Sequence, residues 1–97
     1  MLAITERNAQ KMKVPGYQIR IFSDSKQFAK NRADETLAKF RSNFPDIEAY
    51  AKYESPEYKI YVGNFRNSND AFRVLMQIKS LFPEAFALNK LIDINKL

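Results

Sequence analysis

Two short apolar series repeat within this chain. Ala33, Leu37, Phe40 and Phe44 are spaced by four, three and four residues, and Pro45 follows at once. Ala71, Leu75, Ile78 and Phe82 repeat those steps thirty-eight residues later, with Pro83 next. Steps of three and four line one face of a helix, and a proline stops it. Each series follows a short alternating, strand-like run and precedes another apolar stretch. A doubled strand–helix–strand in 97 residues predicts one open sheet with both helices on one face. The other face is then free to hold a ligand.

The length fits one domain and leaves no room for two. With 45% apolar residues, eight Phe and five Tyr, the chain has material for one core and rings to spare for a surface. There is no Cys and no His, which removes thiol nucleophiles, disulfides, the usual transition-metal ligands and the commonest general base. No cofactor is implied. The formal charge of +5 suits an anionic partner: nucleic acid, an acidic lipid surface or an acidic polysaccharide. It equally suits mere solubility. No stretch is long and apolar enough for a membrane span or a signal-peptide core, so no membrane insertion is expected of this segment. A cytosolic protein, a mature secreted product and a domain of a longer protein all fit.

Residues 1–15 form a polar lead-in, with a possible short helix over 5–12, and residues 16–97 the single domain. Pro15-Gly16 breaks the chain before the first strand. Tyr17, Ile19 and Ile21 alternate with Gln18, Arg20 and Phe22. Ser23-Asp24-Ser25 offers caps for a helix from about Lys26 to Phe44. Strands follow at Ile47–Tyr53 and Tyr58–Phe65, joined by a turn at Glu54–Glu57. Asn67–Asp70 caps the second helix, and a last strand runs from about Phe86 to Ile92. The order βαββαβ is an α+β, ferredoxin-like or RNP-like arrangement with a four-stranded antiparallel sheet.

In that arrangement the first and third strands are central. Tyr17, Ile19, Ile21, Tyr58, Ile60 and Val62 should face the helices. Gln18, Arg20 and Phe22 should lie beside Lys59, Tyr61 and Gly63 on the open face. On the second strand Ile47, Ala49, Ala51 and Tyr53 would face the helices, with Glu48, Tyr50 and Lys52 open. Repeat alignment turns Phe86 and Leu88 outward on the last strand. Either its register slips by one, or that face is partly covered.

The run Lys59-Ile60-Tyr61-Val62-Gly63-Asn64-Phe65 is similar to the RNP2 strand of an RNA-recognition motif. No RNP1 pattern comes after it, and too few residues remain to complete the module. RNA or single-stranded nucleic acid bound on the open face is the second reading, and a protein-interaction surface the third.

Three further features together resemble a SPOR (sporulation-related repeat) domain, closest to the versions in Bacteroidetes-type envelope proteins. They are Gly16-Tyr17-Gln18-Ile19-Arg20-Ile21-Phe22-Ser23, the turn and strand Pro56–Phe65, and the Phe-Pro pair after each helix. Ala71 fits the small residue early in the second helix, and Phe82-Pro83-Glu84-Ala85-Phe86 the entry to the last strand. The resemblance covers about residues 16–92. It implies a non-catalytic, periplasmic module that binds peptidoglycan glycan strands stripped of stem peptides by amidases. Such a module concentrates at the division septum, as part of a larger secreted or anchored protein that also meets divisome proteins.

The resemblance carries the glycan site onto Arg20, Ser23, Lys59 and Tyr61 of the central strands. Many members have Gln where Arg20 stands and Gly where Phe22 stands; here the nearest amide on that face is Gln18. Independently, sugars offer apolar C–H faces for rings and hydroxyls for polar partners. Tyr61, Phe22 and Tyr50 would serve as the platform, and Gln18 and Ser23 as hydrogen-bonding groups. Arg20 and Lys59 would suit the lactyl carboxylate of a muramic acid freed of its peptide. Catalysis is disfavoured: Asp24, Asp34, Glu35, Asp46, Glu48, Glu54 and Glu57 show no spacing that suggests a shared site, and two glycines make no phosphate loop.

Overall fold

A computed structural model describes residues 12–96. The elements are β1 (Lys13–Asp24), α1 (Ala29–Asn43), β2 (Ala49–Glu54), β3 (Glu57–Phe65), α2 (Ser68–Ile78) and β4 (Phe86–Asp93), with a final 3-10 turn at Ile94–Lys96. The strands form one antiparallel sheet in the order β2-β3-β1-β4. Both helices pack on one face, α1 against β1, β2 and β3 and α2 against β1, β3 and β4. This is the expected ferredoxin-like βαββαβ fold.

The core lies between that face and the helices. Ile19, Ile60, Val62, Phe40 and Ile78 are fully buried, with Leu75, Phe82, Ala33 and Ala49 around them. Leu37 and Phe44, the remaining members of the first helical series, pack partly buried against this cluster. Phe40 stacks on Phe44 at 5.1 Å between centroids and meets Phe82 at 5.8 Å, so the two repeats touch through their rings.

Helix starts differ from each other. Asn67 caps α2 as expected, its side-chain oxygen accepting from the Asp70 N–H at 2.9 Å. α1 begins at Ala29, three residues after the expected start, with Phe28 at φ 64° ahead of it and no side-chain cap. The reason is that Asp24 is engaged elsewhere. Its carboxylate accepts the Lys26 N–H at 2.9 Å, closing a turn, and the Arg32 Nε–H at 2.6 Å.

β1 begins at Lys13, ahead of the Pro15-Gly16 break, because residues 13–15 already pair with β4. Of the polar lead-in, where a short helix over 5–12 is only one option, residues 1–11 lie outside the described residues. In β4 the register does not slip: Phe86 pairs with Arg20 and Leu88 with Gln18, so both turn outward. Phe86 is tolerated there because the Arg20 guanidinium lies over its ring, 4.6 Å from the centroid.

Two bulges interrupt the β1–β3 ladder, between Tyr17 and Ile19 and between Arg20 and Phe22. At the first, Gly63 adopts φ 73° and donates its N–H to the Glu48 carbonyl at 2.8 Å. At the second, the alternation of β1 shifts. Phe22 pairs with Ile60 and packs against the core, on the helix side. The expectation that Phe22 lies on the open face is therefore corrected: a bulge puts one extra residue into the strand and reverses the facing of the residues beyond it. Ser23, paired with Lys59, thereby joins the open face.

Candidate functional site

The open face is built from alternate residues of all four strands. Gln18, Arg20 and Ser23 come from β1, Tyr50 and Lys52 from β2, Lys59 and Tyr61 from β3, and Phe86, Leu88 and Lys90 from β4. Six of the seven expected site residues are on it; Phe22 is not. Its two most central side chains are nevertheless buried, Gln18 at 3% and Tyr61 at 3% exposure. They are covered by their neighbours rather than by another layer of the fold.

Tyr61 lies under Lys90, whose Nζ is 4.3 Å from the ring centroid, and beside Tyr50 at 5.8 Å between rings. Its hydroxyl donates to Glu54 Oε1 at 2.5 Å. Burial first, then this carboxylate, pushes the phenol up to about 12. The same bond, opposed by desolvation and assisted by Lys59, lowers Glu54 below the ordinary range. Tyr61 therefore presents little of its ring to a ligand and chiefly supports the groups above it.

Gln18 is the hub of a polar relay. Its Nε2 donates to Asn64 Oδ1 at 2.9 Å, while Tyr50 donates its hydroxyl proton to Gln18 Oε1 at 3.2 Å. Asn64 in turn donates to Glu48 Oε2 at 3.1 Å. A buried carboxamide engaged at both ends is a rigid floor.

The cations divide into two groups. Lys59 is drawn into the hairpin end, 3.8 Å from Glu54 and 4.0 Å from Glu57, and Ser23 donates to Glu57 at 2.5 Å. Glu54 and Glu57 are thus brought together around one lysine, a pairing their spacing did not announce. Arg20, Lys52 and Lys90 form no salt bridge among the described residues. Two of these three rest on aromatic rings, Arg20 on Phe86 and Lys90 on Tyr61. Phe86, Lys90 and Asn64 were missed in the sequence. The outward phase of β4 from the repeat alignment was the available signal for the first two.

The arrangement can hold an anionic or hydroxylated ligand by ring contact and unspent positive charge. Among the described residues no group of three or more Asp or Glu could hold a metal ion, and no helix is long and apolar enough to cross a membrane.

Neither a family model nor a curated protein matches the sequence. Among solved structures, the chain is similar to the solution structure of the peptidoglycan binding domain of the B. subtilis cell wall lytic enzyme CwlC. The TM-score is 0.63 at 15% identity, over 79% of this chain and 91% of that one. The likeness is one of fold. It spans nearly the whole of that domain rather than a fragment of it.

Proposed function

We propose that this chain is a non-catalytic module that binds bacterial peptidoglycan, recognising glycan strands denuded by amidases. In this reading it serves in the periplasm, directing a larger secreted or anchored parent protein to the septal wall. The observation that carries the proposal is the open sheet face, where Arg20 lies over Phe86 and Lys90 over Tyr61, neither forming a salt bridge among the described residues. Sugar C–H faces pack on an exposed ring such as Phe86, while the cations suit an acidic glycan. A fold shared with a protein whose domain is described as peptidoglycan binding supports the same reading.

Accessible contacts come from Arg20, Phe86, Tyr50, Lys52 and Lys90, with Ser23 and Lys59 at the hairpin edge. Gln18 and Tyr61 brace them from beneath.

Co-sedimentation with purified sacculi, before and after amidase treatment, tests the proposal. Binding that rises with treatment is the expected result. A folded domain that pellets with neither preparation sinks the reading and turns attention to RNA or a protein partner.

A further inference from the structure

Apart from Arg20, cations that the open face leaves without a salt bridge among the described residues gather at one end of it. A pocket of about 240 Å³ lies there, lined by Lys13, Lys52 and Lys90 together with Tyr50, Gln18 and Asn64. None of the three lysines forms a salt bridge among the described residues. One carboxylate, Asp93, also lines the pocket, and its Oδ1 accepts the Asn95 N–H at 2.9 Å. Three ammonium groups and one carboxylate line this concave, polar surface, with the Glu48 carboxylate set behind Asn64 and Glu54 near enough to feel Lys52 and Lys90.

The floor is equipped to receive an anion. Gln18 is 3% exposed, and its Nε2 spends one N–H on Asn64. Its second N–H has no acceptor among the described residues. Asn64 likewise spends one side-chain N–H on Glu48. An oxyanion set among the lysines would meet amide donors already oriented by the relay, with little further ordering required. Lysine acts here as a compact point charge, which suits a carboxylate on a flexible arm.

We infer that this pocket is a carboxylate subsite that reads whether a muramic acid has lost its stem peptide. The identity of the sugar rests on the peptidoglycan reading. An intact strand joins its lactyl group to the peptide through a neutral amide. Hydrolysis adds water across that bond, leaving a carboxylate on the sugar and an ammonium on the departing peptide. The cut therefore changes the charge at one point of the glycan from zero to minus one. Lys13, Lys52 and Lys90 respond to that difference, whereas ring contacts elsewhere on the face do not. Of the two sequence-based choices for this carboxylate, Lys59 is already held by Glu54 and Glu57, and Arg20 lies over the Phe86 ring outside this pocket.

The test is a titration of the isotopically labelled chain, monitored by NMR, with N-acetylmuramic acid and separately with its N-methylamide at pH 7. Shifts at Gln18, Lys52, Asn64 and Lys90 with the acid, absent with the amide, are expected. A K52Q/K90Q variant, checked for folding by its own spectrum, should bind the acid at least about tenfold more weakly, while K79Q on the far side matches wild type. No shifts with the acid, equal shifts with the amide, or shifts confined to Arg20 and Phe86 overturn the subsite. The wild-type comparison decides this even if the double variant does not fold. Sacculus sedimentation without acid-specific shifts leaves the peptidoglycan reading standing and removes the subsite. Acid-specific shifts without sedimentation support a carboxylate pocket and remove the peptidoglycan reading.

Discussion

The Tyr61 hydroxyl donates to the Glu54 carboxylate at 2.5 Å on the sheet face that the helices leave open. A phenol buried on an open face, with its only polar atom tied to a carboxylate at the hairpin end, is a structural group first. Removing the whole ring would strip the support from Lys90 and Tyr50 together. Tyr61→Ala therefore cannot separate binding from folding, whereas Tyr61→Phe can.

Tyr61→Phe should cost about 1 kcal/mol, the usual worth of one hydrogen bond, and lower the melting temperature by about 4–8 °C. Its pH dependence is more specific. Tyr61 titrates near 12 in the folded chain against 10.0 for an ordinary phenol, so the unfolded state loses that proton first. The resulting stability is fully present below pH 10 and drains away as pH rises toward 12. Melting curves from pH 8 to about 11.5 should show an alkaline decline that is shallower in Tyr61→Phe. Parallel declines would contradict the burial assigned to this phenol.

At the acid end the corresponding group is Asp24. The Arg32 side chain, then the Lys26 backbone N–H, hold its carboxyl below the ordinary range. A depressed carboxylate contributes stability above its unfolded pKa of 3.8 and loses it as pH falls through the lower folded value. Asp24→Asn should lower the melting temperature at pH 7 and flatten the acid limb of the stability profile. A variant that melts with wild type at every pH would show that the Asp24 turn does not hold the start of α1.

Gly63 carries the bulge on which the open face depends. At φ 73° a β-carbon is disfavoured, and one added here would also overlap the Phe65 ring. Gly63→Ala should cost at least about 1–2 kcal/mol from left-handed geometry alone. Adding Phe65→Leu should recover the part due to overlap, so the double variant falls short of the sum, as thermal or denaturant unfolding would report. Strict additivity would mean that the ring moves aside freely.

Much of this fold is legible in the chain because helical spacing, capping residues and prolines agree with one another. The series Ala33–Phe44 and Ala71–Phe82 line the core, and Asn67 caps the second helix. The site is less legible, for two physical reasons. A bulge leaves no trace in alternation, so Phe22 reads as open although it packs toward the helices. Burial on a ligand face is also made by neighbouring long side chains: Tyr61 is covered by Lys90, which lies twenty-nine residues away in sequence. Only the register of β4 brings those two together.

Arg20 gives the cleanest separation of binding from stability. It is half-buried, its guanidinium rests on Phe86 at 4.6 Å, and it forms no salt bridge among the described residues. Arg20→Ala forfeits one cation–π contact, about 0.5–1 kcal/mol at such a site, and the fold should survive it. Its loss from the ligand face should reduce sedimentation with denuded sacculi by roughly tenfold or more. Arg20→Lys keeps the charge but loses the planar fork, and should fall between the two. Added salt distinguishes the ligand classes: binding to single-stranded nucleic acid weakens with a log–log slope of about 0.7 per neutralised phosphate, whereas ring contact with sugars persists. Wild-type binding to sacculi that vanishes on raising salt from about 50 to 200 mM would place the weight on charge alone and discard the aromatic contribution.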